Sequence, residues 1–159
     1  DYIITKNNLK EIVNSAILKN KTTLLNQKVT LELKELEQEV YTDSKWATFI
    51  INQIIQNAIK YSKESDKKIE IYSKSKNDKI ILYIEDNGIG IRKGEITRVF
   101  ERGFTGENGR KIGKKSTGIG LYLCKKLCDK LGLGIELNSE KDKGTEVRII
   151  FPKNSYTNF

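Results

Sequence analysis

The sequence predicts a two-layer α/β sandwich, with helices packed on one face of a mixed, mostly antiparallel sheet. Three observations lead there. Apolar residues recur at helical spacing in three stretches. Elsewhere they alternate at period two in segments joined by short turn sequences. The two kinds of segment follow one another as helices and hairpins, not as the repeated βαβ units of a doubly wound sheet.

The first helix is carried by Leu9, Ile12, Val13, Ala16 and Ile17. Val29, Leu31 and Leu33 then alternate as in a half-buried strand, and Val40-Tyr41 suggests a short strand next to it. The strongest helix follows. Asp43 or Ser44 can cap it, and Trp46, Phe49, Ile50, Ile54, Ala58 and Tyr61 form one stripe. Ile69, Ile71 and Ser73 pair with Ile80, Leu82 and Ile84 across the Lys76-Asn77-Asp78 turn. The stretch Gly103 to Thr117, rich in Gly, Lys, Ser and Thr, reads as a mobile loop. A helix starting near Gly118 buries Leu121, Cys124, Leu127, Cys128 and Leu131 and stops at Gly132 and Gly134. The last hairpin sets Ile135 and Leu137 against Val147, Ile149 and Phe151 across Lys143-Gly144. Residues 1–152 therefore form one domain, followed by a polar tail, 153–159.

Composition narrows the class. The 159 residues are 37% apolar and carry a net charge of +8, which suits nucleic acid, anionic lipid or a phosphate-bearing ligand without choosing among them. There is no histidine, and two cysteines make neither a disulfide framework nor a zinc set. Cys124 and Cys128, four apart on a helix, read as core residues of a reduced compartment. No apolar run is long enough to cross a bilayer and no signal peptide is seen. A chain that starts at Asp1 looks like a piece of something longer.

Several residues break the structural pattern. Gln53 and Asn57 are polar on an apolar helical stripe, with Lys60 and Tyr61 following. Buried amides must be paired, so they are either a core polar pair or a site. As a site, the Asn57 amide oxygen would face Mg²⁺, which takes few protein oxygens and shares phosphates, while Lys60 neutralises phosphate charge. Asp86-Asn87-Gly88-Ile89-Gly90 follows a strand directly; it is either a plain turn or a base-reading loop. In the second reading Asp86 accepts a hydrogen bond from the exocyclic amine of adenine and disfavours guanine, and Gly88 and Gly90 let the backbone approach the ring. Thr117-Gly118-Ile119-Gly120-Leu121 opens a helix, either as ordinary loop entry or as a phosphate cradle at a helix N-terminus. The loop before it carries Arg102, Arg110, Lys111, Lys114 and Lys115, a solvated charge run or a set that draws in a polyphosphate.

Taken together these segments resemble the catalytic domain of bacterial sensor histidine kinases. Asn57-Ala58-Ile59-Lys60-Tyr61-Ser62 resembles the N box and Asp86 to Gly90 the G1 box. Val99-Phe100-Glu101-Arg102-Gly103-Phe104 resembles the F box, Ser116 to Leu121 the G2 box, and Gly144-Thr145 the final glycine motif. The order is the family's, and the likeness spans about Ile3 to Phe151. It implies the Bergerat α/β sandwich, shared with DNA gyrase, binding ATP with Mg²⁺ under a flexible lid. It implies transfer of the γ-phosphoryl group to a histidine on a separate dimerisation domain, and a response regulator downstream. The parent would be a membrane-embedded homodimer with this domain on the cytoplasmic side, monomeric alone. The resemblance assigns catalysis to Asn57 and Lys60 and the metal to Asn57. It assigns nucleotide binding to Gln53, Asn57, Lys60, Tyr61, Asp86, Gly88, Gly90, Phe100, Thr117, Gly118, Ile119, Gly120, Leu121 and Thr145. Gly103-Phe104-Thr105-Gly106-Glu107-Asn108-Gly109-Arg110 is similar to the Firmicute kinases that respond to bacitracin and other envelope-active peptides.

Three departures stand out. Gln53 replaces a frequent asparagine, Gly103 falls where a second ring often sits, and the phosphoacceptor histidine is absent. Three other readings compete. A gyrase-like hydrolase would place a glutamate near Asn57, where this chain has Gln53 and Asn52, and an amide cannot take a proton from water. A nucleic-acid module finds support only in the charge, since the aromatic residues fall mostly on core stripes. Intact Asn57, Asp86 and paired glycines argue against a degenerate scaffold.

Overall fold

The computed structural model describes residues 1–104 and 120–153. Strand β1 (Thr5–Asn8) leads into α1 (Leu9–Lys19) and α2 (Lys21–Asn26), followed by β2 (Thr30–Lys34) and β3 (Glu39–Thr42). Then come α3 (Ser44–Lys60), the hairpin β4 (Lys68–Lys76) and β5 (Lys79–Asp86), and a 3₁₀ helix (Lys93–Arg98). After residue 119 the chain forms α4 (Gly120–Leu131) and the hairpin β6 (Gly134–Glu140) and β7 (Gly144–Pro152). None of the helices in the described residues is long and apolar enough to cross a membrane.

Local chemistry places the boundaries. The Asn8 side chain accepts the Lys10 amide at 2.8 Å and so caps α1. Asp43 caps α3 by accepting the Trp46 amide at 3.2 Å, and its second oxygen accepts the Ile3 amide at 2.9 Å. One carboxylate thus starts the main helix and holds the N-terminal segment. Asn77 turns the first hairpin at φ 54°, and Gly132 ends α4 at φ 73°, the left-handed conformation that glycine adopts without strain.

The main sheet runs β2-β4-β5-β7-β6, so β2 and β6 are its edges. Strands β2 and β4 are parallel and every other neighbour is antiparallel, the mixed sheet expected. One expectation is corrected. Val40-Tyr41 does not lie beside β2; β3 pairs with β1, Thr5 opposite Thr42, in a separate two-stranded sheet. Thr5–Asn8 carries no apolar alternation, so nothing in its pattern marked it as a strand.

The core lies between α1, α3 and α4 and one sheet face. Ile69, Ile71, Leu82, Ile84, Ile149 and Phe151 come from the sheet; Leu9, Val13, Ile50, Ile55, Cys124 and Cys128 come from the helices. On α3 the fully buried line is Ala47, Ile50, Ile51, Ile54, Ile55, Ala58 and Ile59. Trp46, Phe49 and Tyr61, placed on the stripe by spacing, sit at its half-buried margin. Both cysteines are buried free thiols, and burial pushes each up to about 12. They are packing residues, inert as nucleophiles. The opposite sheet face stacks Tyr72 on Tyr83 at 4.7 Å beside a cross-strand row of Glu32, Glu70, Glu85 and Glu146. Lys34 at 2.8 Å from Glu70, Lys68 at 3.1 Å from Glu32, and Arg148 against Glu146 offset the repulsion along that row.

Candidate functional site

A cleft with an empty volume of about 940 Å³ opens between the C-terminal half of α3, the ends of β5 and β7, and the start of α4. Helix α3 contributes Ile54, Asn57, Ala58 and Tyr61, spaced i, i+3, i+4 and i+7, one face of the helix. Asp86 and Ile84 project from one face of β5; directly across the ladder, Thr145 and Val147 project from β7. Gly120 and Leu121 bring the first turn of α4 to the same space. Asn57, Asp86, Gly120 and Thr145, four residues distant in sequence, are therefore brought together.

Asp86 is the electrostatic centre. Burial raises its carboxyl from 3.8 to about 6, against the pull of the Gly88 and Thr145 amides, which favour the charged form. The Gly88 amide donates to its Oδ1 at 2.9 Å. A half-buried carboxylate among Ile84, Val147 and Leu137 awaits a donor, and an amine-bearing ring suits both the acceptor and the apolar walls.

The loop that carries Asp86 is clamped from two sides. The Ile89 amide donates to the Tyr61 carbonyl at 3.0 Å, joining the loop to the end of α3. The Asp142 amide donates to the Ile89 carbonyl at 2.7 Å, and the Ile91 amide donates to Ser139 Oγ at 2.7 Å, joining it to the β6–β7 hairpin. Asn87 accepts the Lys68 amide at 2.9 Å and donates to the Asp66 carbonyl at 2.8 Å. The glycines also have a structural reason. A Cβ on Gly88 would stand 2.4 Å from the Tyr61 carbonyl oxygen, and one on Gly90 2.0 Å from that of Glu140. A Cβ on Gly144 would stand 2.0 Å from the Asp86 carbonyl oxygen. At all three positions the space beside Cα is filled by the protein's own backbone, and Gly90 also lines the cleft.

Other expected residues fall around the cleft. Gln53 is half-buried, with its Oε1 3.2 Å from where a Gly120 Cβ would be, so it abuts the start of α4. The Lys60 ammonium lies 5.3 Å from the centre of the Tyr61 ring and does not line the cleft. Gly88 is buried beneath the loop, and Phe100 packs on the core; Val99 and Phe104 line the cleft in its place. Thr117, Gly118 and Ile119, the basic residues Arg110 to Lys115, and the tail after Lys153 lie outside the described residues. Spacing missed the walls: Ile84, Ile91, Leu137, Val147 and the buried Glu95, which pairs with Arg92 at 3.2 Å. The period-two rule could have found Ile84 and Val147, since each is two residues from a recognised polar residue on the same strand face. As for a metal, no cluster of three or more His, Cys, Asp or Glu able to hold one occurs among the described residues. Asn57 alone fits a cation that keeps its waters and takes ligand oxygens.

Residues 42–155 match the family described as histidine kinase-, DNA gyrase B-, and HSP90-like ATPase. The sensor histidine kinase YxdK of Bacillus subtilis (strain 168) is 36% identical over 152 residues, 95% of this chain and 46% of the relative. The sensor protein kinase GraS of Staphylococcus aureus (strain JH1) is 44% identical over 118 residues, 74% of this chain and 33% of the relative. The chain thus spans half or less of these relatives. Among solved structures, the catalytic domain of histidine kinase ThkA superposes with a TM-score of 0.81 at 22% identity, covering 95% of this chain and 98% of that one. A complex of ThkA with the response regulator TrrA contains the same fold, with a TM-score of 0.78 at 19% identity over 96% of this chain and 42% of that one.

Proposed function

The chain belongs to the histidine kinase-, DNA gyrase B- and HSP90-like ATPase family, and from that premise we propose that it is the ATP-binding catalytic domain of a two-component sensor histidine kinase. The observation that carries this is one cleft lined by Asn57, Asp86, Gly120 and Thr145 together. Asp86 and Thr145 take the adenine edge, between the apolar walls from β5 and β7. The first turn of α4, which opens at Gly120, presents amides to the phosphates. Asn57 holds Mg²⁺, which when bound neutralises phosphate charge and shields the transferring group. Lys60, next in sequence to the cleft-lining Tyr61, adds positive charge, and Gln53 supports the start of α4. The γ-phosphoryl group passes to a histidine on a dimerisation domain elsewhere in the parent, and onward to a response regulator. The relatives are sensor kinases, which supports a signalling parent, and we take that parent to be a membrane-embedded homodimer with this domain on its cytoplasmic side.

The hydrolase reading is weaker at the residue level. Asn52 is engaged elsewhere, its Oδ1 accepting from Asn20 at 2.7 Å, and Gln53 offers no base.

The test is nucleotide titration. ATP is expected to bind more tightly than GTP, and Asn57→Asp to change affinity with Mg²⁺ more than without it. Equal affinity for the two nucleotides would remove Asp86 from base recognition. Equal shifts with and without metal would make Asn57 a packing amide.

A further inference from the structure

We propose, on the nucleotide-site reading above, that Ser139 is a positioning residue that fixes the Thr145 hydroxyl as a hydrogen-bond acceptor and so selects a base with an exocyclic amine. Ser139 on β6 lies directly opposite Thr145 on β7, which in turn lies opposite Asp86 on β5. Its hydroxyl makes three contacts: the Ile91 amide at 2.7 Å, the Gly144 carbonyl oxygen at 2.9 Å and Thr145 Oγ1 at 2.8 Å.

Counting protons settles their direction. A serine hydroxyl has one proton and two lone pairs. The Gly144 carbonyl has none to give, so Ser139 donates there. The Ile91 amide brings its own proton to one serine lone pair. The contact between Ser139 and Thr145 then has a proton only if Thr145 donates it. All three contacts are satisfied by this arrangement and by no other.

Thr145 and Asp86 both line the cleft. With its proton turned away toward Ser139, Thr145 shows the ligand only lone pairs. The ionised Asp86 carboxylate also only accepts. Two neighbouring acceptors favour an N–H₂ group and oppose a carbonyl oxygen at the same position. Ser139 touches no ligand itself. It acts through Thr145, and through the Ile91 amide it holds the end of the Asp86 loop.

The experiment measures ADP and inosine diphosphate binding to the full chain by calorimetric titration; the second ligand replaces the 6-amine by a carbonyl. The wild type is expected to prefer ADP. Ser139→Ala frees the Thr145 proton and is expected to lower the ADP-to-inosine-diphosphate preference by about tenfold, the worth of one hydrogen bond. Ser139→Thr, which keeps a hydroxyl, is expected to retain the preference. Thr145→Val is expected to lose it, with no further loss on adding Ser139→Ala. Equal weakening of both ligands by Ser139→Ala would reduce Ser139 to a structural contact and overturn the proposal. If that variant does not fold, an unchanged preference in Thr145→Val overturns it instead. Failure of the wild type to bind either ligand would overturn the nucleotide site itself, a result distinct from both.

Discussion

At the scale of single residues, the buried carboxyl of Asp86, the proposed base-reading group, works against stability. Its carboxyl titrates at about 6 in the fold against 3.8 outside it, because burial disfavours the charge. A raised folded value means that the folded state holds the proton more tightly than the unfolded chain. The stabilising contribution is therefore complete below pH ~4, falls as pH rises through about 6, and is absent above. Asp86→Asn removes this pH-dependent penalty. At pH 7 the variant is expected to be more stable than the wild type by up to about 3 kcal/mol, with the difference vanishing near pH 4. Urea denaturation across pH 4–8 measures it, and a constant difference across that range would refute the assignment. The same variant should bind ATP less well, since the ionised acceptor is lost. Asn57 was legible in the sequence because it is polar on an apolar stripe, and Asp86 because it closes a strand directly ahead of Gly88-Ile89-Gly90. Ser139 was not, since a lone serine in a strand carries no such contrast.

At the scale of elements, the loop from Asp86 to Ile91 is a wedge between the end of α3 and the β6–β7 hairpin. Its glycines are required where backbone meets backbone. Gly90 combines φ 69° with the Glu140 carbonyl at its missing Cβ, so Gly90→Ala is expected to cost about 2–4 kcal/mol. Gly94, in the 3₁₀ helix, has nothing within 4 Å of its Cβ position. Gly94→Ala is expected to stay within about 0.5 kcal/mol of the wild type, and the pair measured by urea denaturation isolates the clash from mere loss of glycine. The two glycines are indistinguishable by composition. Contacts between β6–β7 and the Asp86 loop, more than forty residues apart, set them apart, and no local pattern reports such contacts. The two hairpins and α3 were legible because their periodicity is local. The partner of β3 was not, because β1 is polar and pairs across 35 residues.

At the scale of the whole molecule, the chain holds a cleft lined by Asn57, Asp86, Gly120 and Thr145 but no histidine among its 159 residues. Incubated alone with γ-labelled ATP, it is expected to acquire no stable label and to release phosphate slowly, because Gln53 cannot activate water. Adding the parent's dimerisation domain as a separate polypeptide is expected to label that domain, more weakly than a tethered arrangement would, since tethering supplies effective concentration. Label retained on this chain, or rapid turnover by it, would favour a different acceptor or a hydrolase. The overall architecture was readable because the alternation of helices and hairpins admits few packings.

The open sheet has one further consequence, for behaviour in concentrated solution. Among the described residues its edge strands are β2 and β6. On β2 the extended run is only five residues long, and left-handed Lys28 and Glu35 bend the chain away at either end. Glu32 and Lys34 point their charges along it, tied to Lys68 and Glu70. On β6 the edge carries Glu136 and Glu140. A strand from a neighbouring molecule would meet a short, charged run at β2 and the ion-paired Glu136 and Glu140 at β6. Charge and brevity at the rims thus act as guards against fibrous self-association.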